Sequence, residues 1–513
     1  MSDNKLGGIN YNQGDSKWGF GKPSSHRSHQ LKYLLGIVAI LMLALTSITC
    51  NNGEGGGTKE TFRNPKEIFS RNGVLDTMFR VKFSKIRIGD KRVTTSVYND
   101  TFVPPTLRVF PGDLLKIRLK NDIDQMTNLH YHGMNVTPLS PSDDIFIMVT
   151  PTGDFPYEVP IPDDHPVGTF YYHSHAFGLT EYQIMSGLSG VLIVEGELDP
   201  FPQLEGIREL IMYLKDIQID SDGRIPTDID PSDPTNITLN GQVNPTIKIR
   251  PGETQLWRIA NIGADHYYPL QLEGLTMYEI ARDGNLHNQI VEIPPDETLL
   301  LPVSSRVDVL VQGGPKGKYE FIDLPFNTGP QGDTYQGATL ATLVSEGAAQ
   351  EPIDLSTLVF PQIENLCDQP IPQNQKRKIV FSETADGNTF FINGKVFDPD
   401  VVDTTVKIGT LEEWTVQNTS QELHVFHIHQ TDFQVCEVNG VKQDFIGYQD
   451  TVNVPYMGQD PDVQGPGEVK IVINFRNPVI EGKFVYHCHI AEHEDNGMMA
   501  VIEVCDDGFC PGE

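Results

Sequence analysis

One unit recurs three times along the chain, and its recurrence limits the fold more than any other feature. An alternating strand, a glycine turn and a second alternating strand run from Thr106 through Gly112 to Asn121. The same arrangement returns from Thr246 through Gly252 to Asn261, and from Thr405 through Gly409 to Asn418. In each copy nine positions separate the glycine from the asparagine. Alternation sends one set of side chains inward and the other to solvent, and a glycine between two such strands suggests a hairpin-like unit. The glycines lie 140 and 157 residues apart, which is the spacing of domains and far above a solenoid period. At 513 residues the chain is also too long for a single core. The reading is all-β, with three consecutive β-sandwich domains near 66–198, 205–345 and 375–505. A polar, Pro-containing linker at 346–374 leads into the third.

Residues 1–60 form a separate segment. Its polar start carries Lys5, Lys17, Lys22, Arg27 and Lys32, and Tyr33–Thr49 is an apolar run at the short limit for a membrane span. A basic flank, an apolar stretch and a Gly-rich exit describe an export signal, so a periplasmic or cell-surface location is expected. Cys50 stands where a lipid anchor would be attached, although Ser47-Ile48-Thr49 lacks the leucine and small residues usual before such a cysteine. The alternative is an uncleaved signal anchor, and either way the membrane is met only through this segment. In an exported protein Cys367, Cys436, Cys505 and Cys510 are disulfide candidates, with Cys505–Cys510 one of several pairings. The formal net charge of -31 argues against nucleic acid as a partner. A monomer is expected.

The chemistry concentrates in histidines. Four H-x-H pairs occur: His130 and His132, His173 and His175, His427 and His429, His487 and His489. Fifteen histidines scattered over this length would give fewer than one such pair by chance. Each pair puts two imidazoles on one strand face, and eight imidazoles exceed what one metal ion can take. Cys488 sits between the last pair and begins a C-x4-H-x4-M spacing with His493 and Met498. Two imidazoles, a thiolate and a weak axial thioether make the blue-copper electron-transfer geometry. Strand parity supplies the second imidazole, because His424 faces away from His427 and His429 as Cys488 faces away from its neighbours. The middle domain holds only unpaired His266 and His287. It is expected to bind no metal and to hold the outer domains in register. His26, His29 and His165 are read as ordinary histidines.

These four motifs, in this order, resemble those of the multicopper oxidases, the family of laccases, bilirubin oxidases and bacterial cuprous oxidases. The resemblance covers essentially all of 66–505. It implies three cupredoxin-like Greek-key domains and four copper ions. By that likeness His424, Cys488, His493 and Met498 hold the type 1 copper. His130 and His427 would hold the type 2 copper, and His132, His173, His175, His429, His487 and His489 the type 3 pair. Tyr131 replaces the tryptophan usual between the first two histidines. The resemblance also implies that dioxygen is the acceptor and that a carboxylate supplies protons. Glu494 matches a family position for that role, and Asp143 is a second candidate, weighed against a solvated turn residue.

Two donor classes remain. The leading one is phenols and aromatic amines, as for laccases. The rival is a metal ion, Fe(II), Mn(II) or Cu(I). The twelve methionines form no Met-rich segment of the kind that selects soft Cu(I), while the acidic balance keeps ferrous and manganous ions open. A non-enzymatic scaffold of the same fold would have lost ligands, and none is missing here. A copper nitrite reductase lacks the H-C-H bridge.

Overall fold

The computed structural model describes residues 60–227, 229–230, 233–463 and 465–506. The export segment, Cys50, His26, His29 and Cys510 lie outside the described residues. Among the described residues strands dominate, and the α-helices are the short Thr180–Ser186 and Ala491–Asp495.

Six main sheets pair into three sandwiches. The first combines a four-stranded sheet built on Val74–Ile88 and Leu114–Asn121 with a five-stranded one that ends in Ser189–Val194, Gly168–His173 and His130–His132. The second combines a six-stranded sheet around Thr254–Asn261 and Arg306–Gln312 with a five-stranded sheet around Ala338–Ser345. The third repeats that plan, with Thr410–Asn418 beside Gly467–Phe475 in one sheet. Its other sheet orders Val402–Lys407, Met499–Cys505, Gly482–Cys488, His424–Ile428 and Thr451–Val454. Each sandwich closes over its own apolar core.

The recurring glycine unit is not a hairpin. Thr106–Val109 and Leu114–Asn121 belong to different sheets, as do the corresponding strands in the other two copies. The glycine turn carries the chain across the sandwich, from one sheet to the other. Gly112, Gly252 and Gly409 all take the positive φ that such a turn needs, at 86°, 80° and 84°. A local pattern of strand, glycine and strand cannot tell an arch from a hairpin, because both present the same alternation.

The second strand of each copy shows why the sequence folds this way. In Leu114–Asn121 buried and accessible positions alternate, with Leu115, Ile117 and Leu119 inward. In Thr254–Asn261 every position is buried, because the outer face of this strand meets the first sandwich. There Arg258 pairs with Glu197 of the first sandwich and with Asp308, 2.9 Å away. Five residues after the glycine come Ile117, Trp257 and Trp414, each fully buried in its core. The linker is packed rather than free. Leu366 lies under the third sandwich, and a Cys367–Cys436 disulfide ties the linker to the strand Phe433–Val438. Cys505 is also disulfide-bonded, and among the described residues Cys488 is the free cysteine.

Trp414 packs edge-on to Tyr486, at 5.1 Å between ring centroids, beneath the strand that carries Cys488. Replacing a buried aromatic residue of this size with alanine costs about 3–5 kcal/mol. Trp414→Ala is expected to destabilise the third sandwich by that amount in a denaturant titration; an unchanged midpoint would contradict this packing.

Candidate metal centre

Four strand ends converge between the first and third sandwiches. His130–His132 pairs antiparallel with Gly168–His173, setting His130 opposite His173. His424–Ile428 pairs with Gly482–Cys488, setting His427 opposite His487 and Phe426 opposite Cys488. His175, His429 and His489 follow just past their strands. All eight paired histidines are buried. The groups whose ligand atoms lie within 4.8 Å of one another include His130–His132–His173, His130–His427–His429 and His175–His429–His487.

In His130, His173, His427 and His487 the outer nitrogen is anchored, which fixes the inner one. His130 Nδ1 donates to Asp143 Oδ1 at 3.0 Å, His173 Nδ1 to the Ser174 carbonyl at 2.9 Å, and His427 Nδ1 to the Asp450 carbonyl at 2.8 Å. Each of these three rings therefore keeps its lone pair on Nε2, and all three Nε2 atoms are buried with no hydrogen-bond partner. His487 Nδ1 donates to the Cys488 carbonyl at 2.9 Å, so its Nε2 lone pair faces His429 Nε2 at 3.1 Å and His175 Nε2 at 3.4 Å. His132 Nδ1 and His489 Nε2 meet at 3.1 Å. Buried lone pairs left without donors are costly, and a ring of them suits imidazole-loving cations such as copper. Burial also holds His132, His173, His175, His427, His429 and His489 well below the usual imidazole range, so they are neutral and able to ligate.

On the opposite face of the same strand, Cys488 Sγ lies 3.7 Å from His424 Nδ1 and 3.5 Å from His493 Nδ1. The two imidazole nitrogens are 3.0 Å apart. His424 turns its Nε2 to Ser420 Oγ at 2.8 Å, and His493 turns its Nε2 toward Glu422 Oε1 at 3.3 Å. The loop closes on itself, because Cys488 N donates to the Met498 carbonyl at 3.0 Å and Met498 N to the His493 carbonyl at 2.9 Å. Met498 is fully buried in the same core cluster as Cys488. Burial drives the thiol of Cys488 far above its ordinary range. The Val425 N–H, 3.4 Å from Sγ, and the Ile490 N–H favour a thiolate, but burial outweighs them, so a bound cation is the group that would secure it.

Both proton-donor candidates lie against this centre. Glu494 takes a hydrogen bond from Thr180 Oγ1 at 2.9 Å and stands 3.4 Å from His175 Nδ1 and 3.2 Å from His487 Nδ1. Burial pushes its carboxyl up, and its pairing with His175 and His487, with hydrogen bonds from His487 and Thr180, outweighs that, so the proton of each pair sits on imidazole nitrogen and Glu494 accepts. Asp143 is a buried acceptor rather than a solvated turn residue. It takes hydrogen bonds from His130, from the Tyr131 N–H at 3.0 Å and from Gln430 Nε2 at 2.8 Å. Gln430 in turn lines a cavity of about 390 Å³ shared with Asn135, Asn285 and Asp432.

Among the described residues His165, His266 and His287 stand outside these clusters. His266 bonds to Asp323, His287 to Glu279, and His165 to the Asn135 N–H and the Pro166 carbonyl. Sequence reasoning missed two features. Asp450 contacts both His132 and His427 and is held by Arg306 of the middle sandwich. Glu422, Glu383, Glu492 and Asp333 crowd the His493 side. Burial and the neighbouring Glu383 raise Glu422, while burial and Asp333 raise Glu492 to about 7. Neither group follows a spacing pattern, and only the glycine directly after His132 hints that something presses close there.

Three models of the multicopper oxidase family match the chain, over residues 80–199, 214–348 and 370–508. The multicopper oxidase mco of Staphylococcus aureus is 27% identical over 424 residues, covering 79% of this chain and 83% of its own. A laccase of Bacillus stratosphericus is 24% identical over 480 residues, covering 79% and 90%. Among solved structures, a multicopper oxidase from Campylobacter jejuni described as a metallo-oxidase superposes with a TM-score of 0.72 at 25% identity. It covers 88% of this chain and 96% of its own.

Burial holds His424 down to about 3, against 6.5 for a free imidazole. Between those values the unfolded chain binds a proton that the folded chain refuses. The contribution is therefore complete above 6.5 and is lost as the pH falls toward 3, at about 1.4 kcal/mol per pH unit. Metal-free protein is expected to lose about 2 kcal/mol more between pH 7 and pH 5 than its His424→Leu variant. Urea titrations of both at the two pH values measure this, and equal losses would contradict it.

Proposed function

Because the chain belongs to the multicopper oxidase family and is a copper-dependent oxidoreductase, we propose that it couples one-electron oxidation of small reducing substrates to four-electron reduction of dioxygen to water. The observation that carries this reading is the end of the strand Gly482–Cys488, continued by His489, with a nitrogen–nitrogen–sulfur triangle on one face and the histidine cage on the other. Bound copper would supply one-electron redox chemistry, with a type 1 ion at His424, Cys488, His493 and Met498, a type 2 ion at His130 and His427, and two type 3 ions at His132, His173, His175, His429, His487 and His489.

The chain's own residues then have separable tasks. Cys488 and its two neighbours provide a covalent path of a few bonds between the faces. The outer hydrogen bonds of His130, His173, His427 and His487 hold tautomer and ring orientation, as partners behind metal-bound histidines do. Burial keeps bulk water out of the cage. Glu494, seated on His175 and His487, and Asp143, seated on His130, are the proton-carrying groups. Gln430 links Asp143 to the cavity, which gives protons and water a route.

Phenols and aromatic amines are the first donor class, reached over the His493 edge. A second reading, metal-ion oxidation, is favoured by one observation, the carboxylates around that edge. Glu422 lies against His493, and burial, with Glu383, Asp333 and Glu492 adding to it, raises its carboxyl. A cation would relieve that crowding, whereas a neutral phenol would not. We further propose export, on the N-terminal pattern; the Cys367–Cys436 disulfide fits an oxidising compartment.

Cys488→Ser is expected to abolish both the blue absorption and oxygen uptake with every donor; turnover that survives would refute the electron route. Oxygen uptake with a phenol, Fe(II) and Cu(I) in parallel separates the donor readings. Glu422→Gln should raise KM for the metal ions by about tenfold, in line with the loss of a carboxylate that an arriving cation would ionise, and leave KM for the phenol unchanged. Equal effects on both donors would remove the metal-ion reading.

A further inference from the structure

Arg306 belongs to the middle sandwich, which supplies no imidazole to either cluster, yet its side chain lies where all three sandwiches meet. The residue is fully buried. Its Nη1 and Nη2 donate to Asp450 Oδ1 and Oδ2 of the third sandwich at 2.8 and 2.6 Å. Its Nε donates to the Thr169 carbonyl at 3.2 Å, on the first-sandwich strand that ends in His173. Nη1 also donates to the Ser304 carbonyl at 3.1 Å, and the backbone N–H to Asp283 Oδ1 at 2.8 Å. The rings of Phe170 and Tyr171 flank the guanidinium at 6.0 and 5.8 Å.

Asp450 is the other half of the device. Its Oδ1 takes hydrogen bonds from His132 Nε2 at 3.2 Å and Thr451 Oγ1 at 2.8 Å, and its carbonyl takes one from His427 Nδ1 at 2.8 Å. One residue thus sets the tautomer of two imidazoles, which stack on each other at 3.8 Å. With Nε2 of His132 and Nδ1 of His427 committed to Asp450, the lone pairs are left on His132 Nδ1 and His427 Nε2. A carboxylate this deep needs partners that hold both of its oxygens in place. A planar guanidinium fork does that with two parallel bonds, which an ammonium cannot reproduce.

We propose that Arg306 is a positioning residue for the trinuclear centre: its fork fixes Asp450, and Asp450 fixes His132 and His427. The spacer domain is then a working part of the metal site, because cage geometry depends on its docking. Gly133 supports this independently. It follows His132 at φ 80°, and a side chain there would strike both Asp450 Oδ2 and Arg306 Nη2. The glycine in Leu129-His-Tyr-His-Gly133 is accounted for by the ion pair beside it.

This inference rests on the copper reading above, and the experiment separates the two. Wild-type protein, Arg306→Met, Arg306→Lys and Asp450→Asn are loaded with copper and compared by copper content, type 2 paramagnetic resonance and blue type 1 absorption. Arg306→Met and Asp450→Asn are expected to keep the blue band, which reports a folded third sandwich. They should lose or alter the type 2 signal and retain fewer than four coppers, with cage affinity down about 10–100-fold, the usual effect of removing a partner behind a metal ligand. Arg306→Lys should return part of the signal. A wild-type type 2 spectrum and copper content in Arg306→Met would overturn the proposal, whatever its melting temperature. If that variant lacks the blue band, unaltered type 2 spectra in both Arg306→Lys and Asp450→Asn would overturn it. Wild-type protein that never holds four coppers would instead sink the copper reading itself.

Discussion

A β-strand sends neighbouring side chains to opposite faces, and everything else in this molecule depends on that fact at His487-Cys488-His489. The alternation lets one strand serve two centres that never share a solvent. Cys488 points into the core of the third sandwich, among Phe426, Tyr486 and Met498. His487 and His489 point into a cage completed by His427 and His429 of the neighbouring strand and by four histidines of the first sandwich. Cross-strand pairing then fixes both sides at once, since the register that sets His427 opposite His487 also sets Phe426 opposite Cys488. A slip of one residue would exchange the faces and destroy both centres.

Burial gives these groups their character, and it also sets the demands on the surrounding protein. Imidazoles pressed together without water stay neutral, and a thiol among apolar rings keeps its proton. Each is poised for a cation, and each needs its remaining polar atom satisfied. For His130, His173, His427 and His487 the structure meets that need with backbone carbonyls at Ser174, Asp450 and Cys488 and with carboxylates at Asp143 and Glu494. Several of these partners belong to a different sandwich from the one an isolated reading of the motif would suggest. Glu494 of the third sandwich leans on Thr180 and His175 of the first, and Arg306 of the second grips Asp450 of the third. The centre is thus a property of the assembled chain, and no single sandwich contains it.

What the sequence disclosed follows the range of the interactions. The four histidine pairs and the C-x4-H-x4-M spacing are local patterns, so they could be read directly. Parity along one strand was enough to bring His424 to Cys488, and the structure sets them together. The recurring glycine unit gave the repeat correctly and its connection wrongly, because which sheet a strand joins is decided by partners tens of residues away. Asp450, Arg306 and Glu422 were invisible for the same reason. Each is an isolated charge at the edge of an ordinary strand, and its role arises only when distant segments fold against it. Asp143 was weighed as a solvated turn residue, and the structure shows why that reading fails. Three hydrogen bonds from His130, Tyr131 and Gln430 hold it inside.

The two faces of the Cys488 strand also divide the functional questions. On the proposed reading, donor choice belongs to the His493 side, where the acidic groups gather, and dioxygen chemistry to the cage. Their connection through a few covalent bonds is the claim on which the whole account stands. Anomalous diffraction at the copper edge, from crystals of copper-loaded protein, tests it most directly. The account predicts three peaks inside the cage of eight histidines and a fourth beside Cys488, on the opposite face of the same strand. A single peak, or a filled cage with Cys488 left bare, would contradict it.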